Sequence, residues 1–178
     1  MNYAIILAAG QGQRMNSKRD KMMLEVAGKP LVYYSLMAYN DHPEIDEIVV
    51  VANKDNKEKI KEILNIYHLS KVKKIVLGGA TRQASAEKGL SALSSPQDAD
   101  VVLVHNGANP LPSPEEISET IVRIKEVGAA IVGHKITSTV KEADAGHIVK
   151  THDRERLFAA ETPQGATHKV FEIGRAHV

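Results

Sequence analysis

Short apolar runs of strand length punctuate the chain: Tyr3–Leu7, Ile48–Ala52, Ile75–Leu77, Val101–Val104 and Ala129–Val132. Stretches with helical periodicity lie between them. Ile60, Ile63, Leu64 and Tyr67 fall at i, i+3, i+4 and i+7, one face of a helix. Pro30 stands where a first helical turn should begin, ahead of Leu31, Tyr34, Met37 and Ala38. Ser113-Pro114-Glu115-Glu116 reads as a capping box, opening a helix that carries Ile117, Ile121 and Ile124 and stops at Gly128. Strands without polar alternation, separated by helices, predict an α/β fold with a mostly parallel sheet covered on both faces. Ligands of such sheets bind at the carboxyl ends of the strands, so the loops after Leu7, Leu77 and Val104 are the ones to read for chemistry. From His134 to Leu157 the chain turns polar, with scattered Ile136, Val140, Ile148 and Val149, and reads as an extended arm.

The first of those loops is Ala8-Ala9-Gly10-Gln11-Gly12-Gln13-Arg14-Met15, with Lys21 seven residues after Arg14. Small residues let backbone N–H groups approach a ligand, and Arg14 and Lys21 add positive charge beside them. That combination suits a polyphosphate. The loop is not the dinucleotide fingerprint, because Met15 occupies the place of the third glycine, and it lacks the Gly-Lys-Ser/Thr ending of a P-loop.

Composition narrows the class. A chain of 178 residues, 43% hydrophobic and 25% charged, suits one soluble domain. A net charge of +1 argues against a nucleic-acid-binding face. Absence of cysteine removes disulfides, thiolate metal sites and a cysteine nucleophile. The opening apolar run ends at Gly10, too short for a membrane span and without a basic leader, so the expected location is cytoplasmic. The last six residues, Ile173 to Val178, resemble a translated sequencing adapter. The expectation is a single domain over 1–172 followed by a non-native tail, with the natural sequence interrupted near Glu172.

Two further loops carry chemistry. Gly78-Gly79-Ala80-Thr81-Arg82-Gln83-Ala84-Ser85 should turn tightly and open a helix, with Arg82 and Ser85 near one face of its first turn. In Val104-His105-Asn106-Gly107-Ala108-Asn109-Pro110, Asn106 can offer its side-chain oxygen to a ribose hydroxyl or a hydrated metal. His105 has no second histidine at ligand spacing and is expected to face the core or a backbone carbonyl.

Taken in order, these loops and Thr162-Pro163-Gln164 resemble the 2-C-methyl-D-erythritol 4-phosphate cytidylyltransferases, over residues 3 to about 172. The resemblance implies a three-layer, Rossmann-like nucleotidyltransferase fold with an extended β-arm at about 134–158. It implies CTP and a sugar-alcohol phosphate as substrates, Mg²⁺ or another divalent cation, and a homodimer with interlocking arms. By position, Gly10, Gly12, Arg14 and Lys21 would hold the triphosphate, with Arg14 and Lys21 catalytic. Ala8, Ala9, Gly79 and Ser85 would read cytosine; Arg82 and Asn106 would complete the nucleotide site, Asn106 doubling as a metal ligand, through water. Thr139 and Arg154 on the arm would hold the acceptor phosphate, in the partner's site.

Three positions depart from the family pattern: Asn106 stands where an aspartate is usual, Asn109 where an arginine is, and Asp20 where a proline precedes the lysine. The motifs leave other readings open: a cytidylyltransferase for ribitol phosphate or molybdopterin, or a CTP-binding module without catalysis.

Overall fold

Every apolar run becomes a strand of one sheet, and the runs Tyr3–Leu7, Ile48–Ala52 and Val101–Val104 alternate their side chains between two separate cores. The computed structural model describes residues 1–10 and 20–175. β1 (Asn2–Ala8) is followed among them by a 3-10 turn (Lys21–Met23), a ribbon of β2 (Glu25–Val26) and β3 (Lys29–Pro30), and α1 (Leu31–Asp41). Then come β4 (Glu47–Ala52), α2 (Lys57–Ile66), β5 (Val72–Leu77), α3 (Arg82–Leu90), β6 (Val101–Asn106) and α4 (Pro114–Val127). β7 (Ala129–Lys135), β8 (Lys141–Asp144), β9 (His147–Thr151), a second 3-10 turn (Arg154–Arg156), β10 (Phe158–Thr167) and α5 (His168–Arg175) complete the order.

The main sheet runs β5-β4-β1-β6-β10-β7. Its first four strands are mutually parallel, and β10 runs antiparallel to both β6 and β7. Ala4, Ile6 and Ala8 point to the face covered by Leu36, Tyr39, Ile60, Ile117, Ile121 and Ile124 from α1, α2 and α4. Tyr3, Ile5 and Leu7 point to the other, beneath Leu90, Leu93 and Phe171. Leu7 pairs with Asn106, Ala8 with Ala52 and Ala52 with Leu77, so β1, β4, β5 and β6 end level at one rim.

The helix signals hold in position with two differences, the first being that α1 buries Val32, Tyr33, Leu36 and Tyr39 where Leu31, Tyr34, Met37 and Ala38 were expected. Ser113 and Glu116 form the reciprocal cap, Pro114 opens α4, and Gly128 closes it at φ +88°, a left-handed conformation that suits glycine. Pro30, expected inside the first turn of α1, instead caps it from an extended conformation, because Pro30 is paired with Glu25 in the ribbon.

The arm is a two-stranded hairpin, β8 with β9, set apart from the main sheet. Its expected start at His134 differs: His134 and Lys135 still belong to β7 and pair with Ala159 and Phe158. β10 had no counterpart among the apolar runs. α5 continues through Ile173, Gly174 and Arg175, residues assigned above to a non-native tail. No helix among the described residues is long and apolar enough to cross a membrane.

Candidate active site

At the level rim, the loops that follow β1 and β5 touch. A Cβ on Gly78 would lie 2.5 Å from the Ala9 Cβ and 2.9 Å from Ser85 Oγ, so this position admits only glycine without displacement. Gly78 N–H donates to Ala52 O (2.9 Å) and Gly107 N–H to Leu7 O (2.9 Å), extending the strand ladders into the loops. The backbone there is therefore held in place by the sheet.

A first cleft of about 740 Å³ opens over this rim. Ala9, Gly10, Lys21, Gly79, Arg82, Ser85 and Asn106 line it, all of them expected from the sequence. Ala8 does not: it is fully buried, and its carbonyl accepts from Asn56 Nδ2 at 2.9 Å. Gly12 and Arg14 lie outside the described residues.

Lys21 opens its 3-10 turn on a cap made by Asp20, whose Oδ1 accepts from the Met22 N–H at 2.9 Å. The other Asp20 oxygen accepts from Asn53 Nδ2 (3.2 Å). Asn53 N–H in turn donates to Asn56 Oδ1 (3.0 Å). A polar chain thus ties the lysine's segment to the end of β1. Asp20 replaces the stiffness of a proline with hydrogen bonds. Sequence reasoning missed Asn53 and Asn56; the one available signal was a pair of asparagines just beyond the end of β4.

Thr81 caps α3, its Oγ1 accepting from the Ala84 N–H at 3.0 Å, which places Arg82 at the first helical position and Ser85 one turn on. Ser85 Oγ donates to Thr81 O (2.9 Å) and accepts from Gly79 N–H (3.1 Å). A hydroxyl has two acceptor lone pairs, so one remains unused on a residue that lines the cleft.

A second cleft of about 610 Å³ adjoins the first, and Arg82, Asn106 and Asn109 line both. Its floor is anchored by His105, which is fully buried. His105 Nε2 bonds to Asn109 O at 2.9 Å, and Ser35 Oγ donates to the same carbonyl, also at 2.9 Å. Burial pushes the His105 pKa down to about 4, against the smaller opposing effects of that carbonyl and of Glu116. The imidazole is neutral and donates, as expected of a core histidine. Asn109 Nδ2 donates to Thr162 Oγ1 (3.0 Å), joining the β6 loop to the Thr162-Pro163-Gln164 segment of β10.

The described side chains do not fit a protein-held divalent cation at Asn106. Its Oδ1 already accepts from Arg82 Nη2 at 3.3 Å, so an added metal would share a neutral oxygen with a guanidinium. Mg²⁺ favours carboxylate oxygens. Among the described residues no Asp or Glu lines the first cleft, and residues 11–19 include none in their sequence. No group of three or more His, Cys, Asp or Glu among the described residues could hold a metal.

Thr139 and Arg154 line neither cleft of their own chain. Both are exposed on the arm, where Arg154 Nη1 donates to Thr137 O at 2.7 Å.

Residues 2–177 match the family described as IspD, 2-C-methyl-D-erythritol 4-phosphate cytidylyltransferase. Relatives of that name in Clostridium botulinum (strain 657 / Type Ba4) and Clostridium tetani (strain Massachusetts / E88) are 43% and 40% identical to this chain. The matches cover 92% and 99% of this chain and, in each case, 71% of the relative. The crystal structure of 4-diphosphocytidyl-2C-methyl-D-erythritol synthase from Anaerococcus prevotii DSM 20548 superposes with a TM-score of 0.82 at 33% identity. That superposition covers 98% of this chain and 75% of the other.

Proposed function

The chain belongs to the 2-C-methyl-D-erythritol 4-phosphate cytidylyltransferase family, a nucleotidyltransferase of isoprenoid biosynthesis that moves CMP from CTP to methylerythritol phosphate, and we propose that its two adjoining clefts divide that work. The first takes CTP and the second the acceptor. The observation that carries this division is the shared wall of Arg82, Asn106 and Asn109, which leaves both substrates open to one junction. The family also decides among the acceptors that the motifs left open.

Both reactants are anions. A phosphate monoester carries roughly −1.5 to −2 near neutral pH, and the triphosphate carries more. An ionised phosphate oxygen attacks the α-phosphorus and pyrophosphate leaves, so no general base is needed. What the protein supplies is position and positive charge. Lys21 in the first cleft provides it, together with Arg14 by its position in the family motif. Magnesium arrives as the chelate of the nucleotide's own phosphate oxygens, a substrate rather than a resident ion.

Cytosine is read by hydrogen-bond polarity. Its exocyclic amino group is a donor where uracil has an acceptor. The remaining lone pair of Ser85 accepts from that donor, beside the Ala9 and Gly79 backbone. Ser85 thereby favours CTP over UTP.

The protein works as a cytoplasmic homodimer. A lone two-stranded hairpin is marginal in water, yet every residue of β8 and β9 is exposed, Ile148 and Val149 included. A second copy covers the arm and receives Thr139 and Arg154 beside its acceptor cleft.

Pyrophosphate release from magnesium CTP tests the reading. It should require methylerythritol phosphate and fail with ribitol phosphate. Lys21→Ala and Arg14→Ala should each lower turnover by two to three orders of magnitude, about 3–4 kcal/mol of transition-state stabilisation. Equal release with ribitol phosphate, or wild-type turnover in either variant, would refute it.

A further inference from the structure

Arg82 stands at the boundary between the clefts. The Thr81 cap fixes its backbone at the start of α3, and its guanidinium reaches across to Asn106 Oδ1 on β6 (3.3 Å). Among the described residues lining the second cleft, Arg82 is the one lysine or arginine, and His105 beside it is held neutral by burial. The carboxylates there are Glu116 and Glu161. Glu116 Oε2 accepts from the Ser113 N–H (2.9 Å), and Glu161 Oε1 meets His134 Nδ1 at 2.9 Å.

Among the described residues of one chain the second cleft is therefore electrostatically lopsided, with its cation at the junction and carboxylates along the remainder. An acceptor with a phosphate at one end and hydroxyls at the other matches this. Carboxylate and amide oxygens accept from hydroxyls and repel phosphate. In-line attack also requires the phosphate oxygen within roughly 3–3.5 Å of the α-phosphorus. The phosphate must then lie at the junction, where the guanidinium is.

We propose that Arg82 is a further catalytic residue, gripping the acceptor's phosphate, and that Asn106 is a positioning residue that aims it. This rests on the division of the clefts given above. One guanidinium N–H goes to Asn106, and among the described residues the others have no partner, which leaves them for bidentate recognition of phosphate. The neutral amide matters. Asn106 orients the guanidinium without cancelling its charge, whereas a carboxylate there would form an ion pair and weaken its hold on an anion.

The test is calorimetric and avoids turnover. The chain is loaded with the α,β-methylene analogue of CTP and magnesium, then titrated with methylerythritol phosphate. Arg82→Gln should weaken acceptor binding about a hundredfold or more and leave analogue affinity within about threefold of wild type. Arg82→Lys should recover less than a tenth of the loss, since an ammonium cannot make the bidentate contact. In steady-state assays Asn106→Ala should raise the acceptor KM while leaving the CTP KM and the melting temperature unchanged. Wild-type acceptor affinity in Arg82→Gln overturns the proposal. So does an equal loss of analogue affinity, which would put Arg82 on the triphosphate. A wild-type chain that binds the analogue but not methylerythritol phosphate overturns the functional reading, and the proposal with it.

Discussion

His105 couples a single buried side chain to the pH range in which the site holds its shape. Its folded pKa of about 4 lies below the ordinary value of 6.5. Between those values the unfolded chain binds a proton that the folded chain refuses. The contribution is therefore complete above pH 6.5 and fades as pH falls toward 4, by about 3 kcal/mol in all. Urea unfolding of the wild type from pH 7 to pH 4 should show this loss, and His105→Gln should flatten it. Identical pH slopes in the two proteins would count against the assignment. The core position of His105 was legible because no partner histidine stood at metal spacing. The places of Lys21, Arg82, Ser85 and Asn106 in the first cleft were also legible, since each sits in a short motif at or after the end of a strand. Asn56 was not: its role is to hold the Ala8 carbonyl, forty-eight positions earlier, and no local pattern encodes that bond. The same holds for the oxygen of Asn106, whose partner on α3 only the folded chain reveals.

Helix α3 shows how an element carries chemistry by standing close to its sheet. A Cβ on Gly89 would lie 2.4 Å from Ile5 Cγ2 and 3.0 Å from Val51 Cγ2. Alanine there would gain up to about 1 kcal/mol of helix propensity but lift the helix off β1 and β4. Such overpacking costs roughly 1–3 kcal/mol. Gly89→Ala should therefore lower the denaturation midpoint and also weaken CTP binding, because Ser85 rides on the same helix. Retained stability with unchanged CTP affinity would show that the approach is slack. The parallel strands and the capped helix α4 could be read in advance because each carries its signal locally: an unbroken apolar run, or a cap followed by a 3.6-residue period. β10 could not. It contains Pro163 and Gly165, which ordinarily argue against a strand, and its ladder to β7 is interrupted between Ala160 and Gln164, where that proline sits. Its pairing with β6 is a tertiary choice, made because Ala166 and Gly165 fit against the buried strand and the end of α4.

At the scale of the whole molecule, the side bearing β7 and the arm is the unfinished one. β7 is an edge strand with Ile131 59% exposed, and Phe158 beside it is equally exposed. An apolar edge of this kind invites pairing with another chain. Sedimentation should give a dimer, and Ile148→Asp should shift it toward monomer while leaving CTP affinity intact. Acceptor turnover should fall with the dimer if the arm serves the neighbouring site. A wild-type monomer at micromolar concentration with full activity would exclude that arrangement. The partition between the clefts has a different consequence, for inhibition. Arg82, Asn106 and Asn109 line both clefts, so a compound seated in one and a compound seated in the other end close to each other. Joined by a short tether, the second fragment would meet its site at an effective concentration in the millimolar range, and two weak, separately selected binders could become one tight bisubstrate inhibitor.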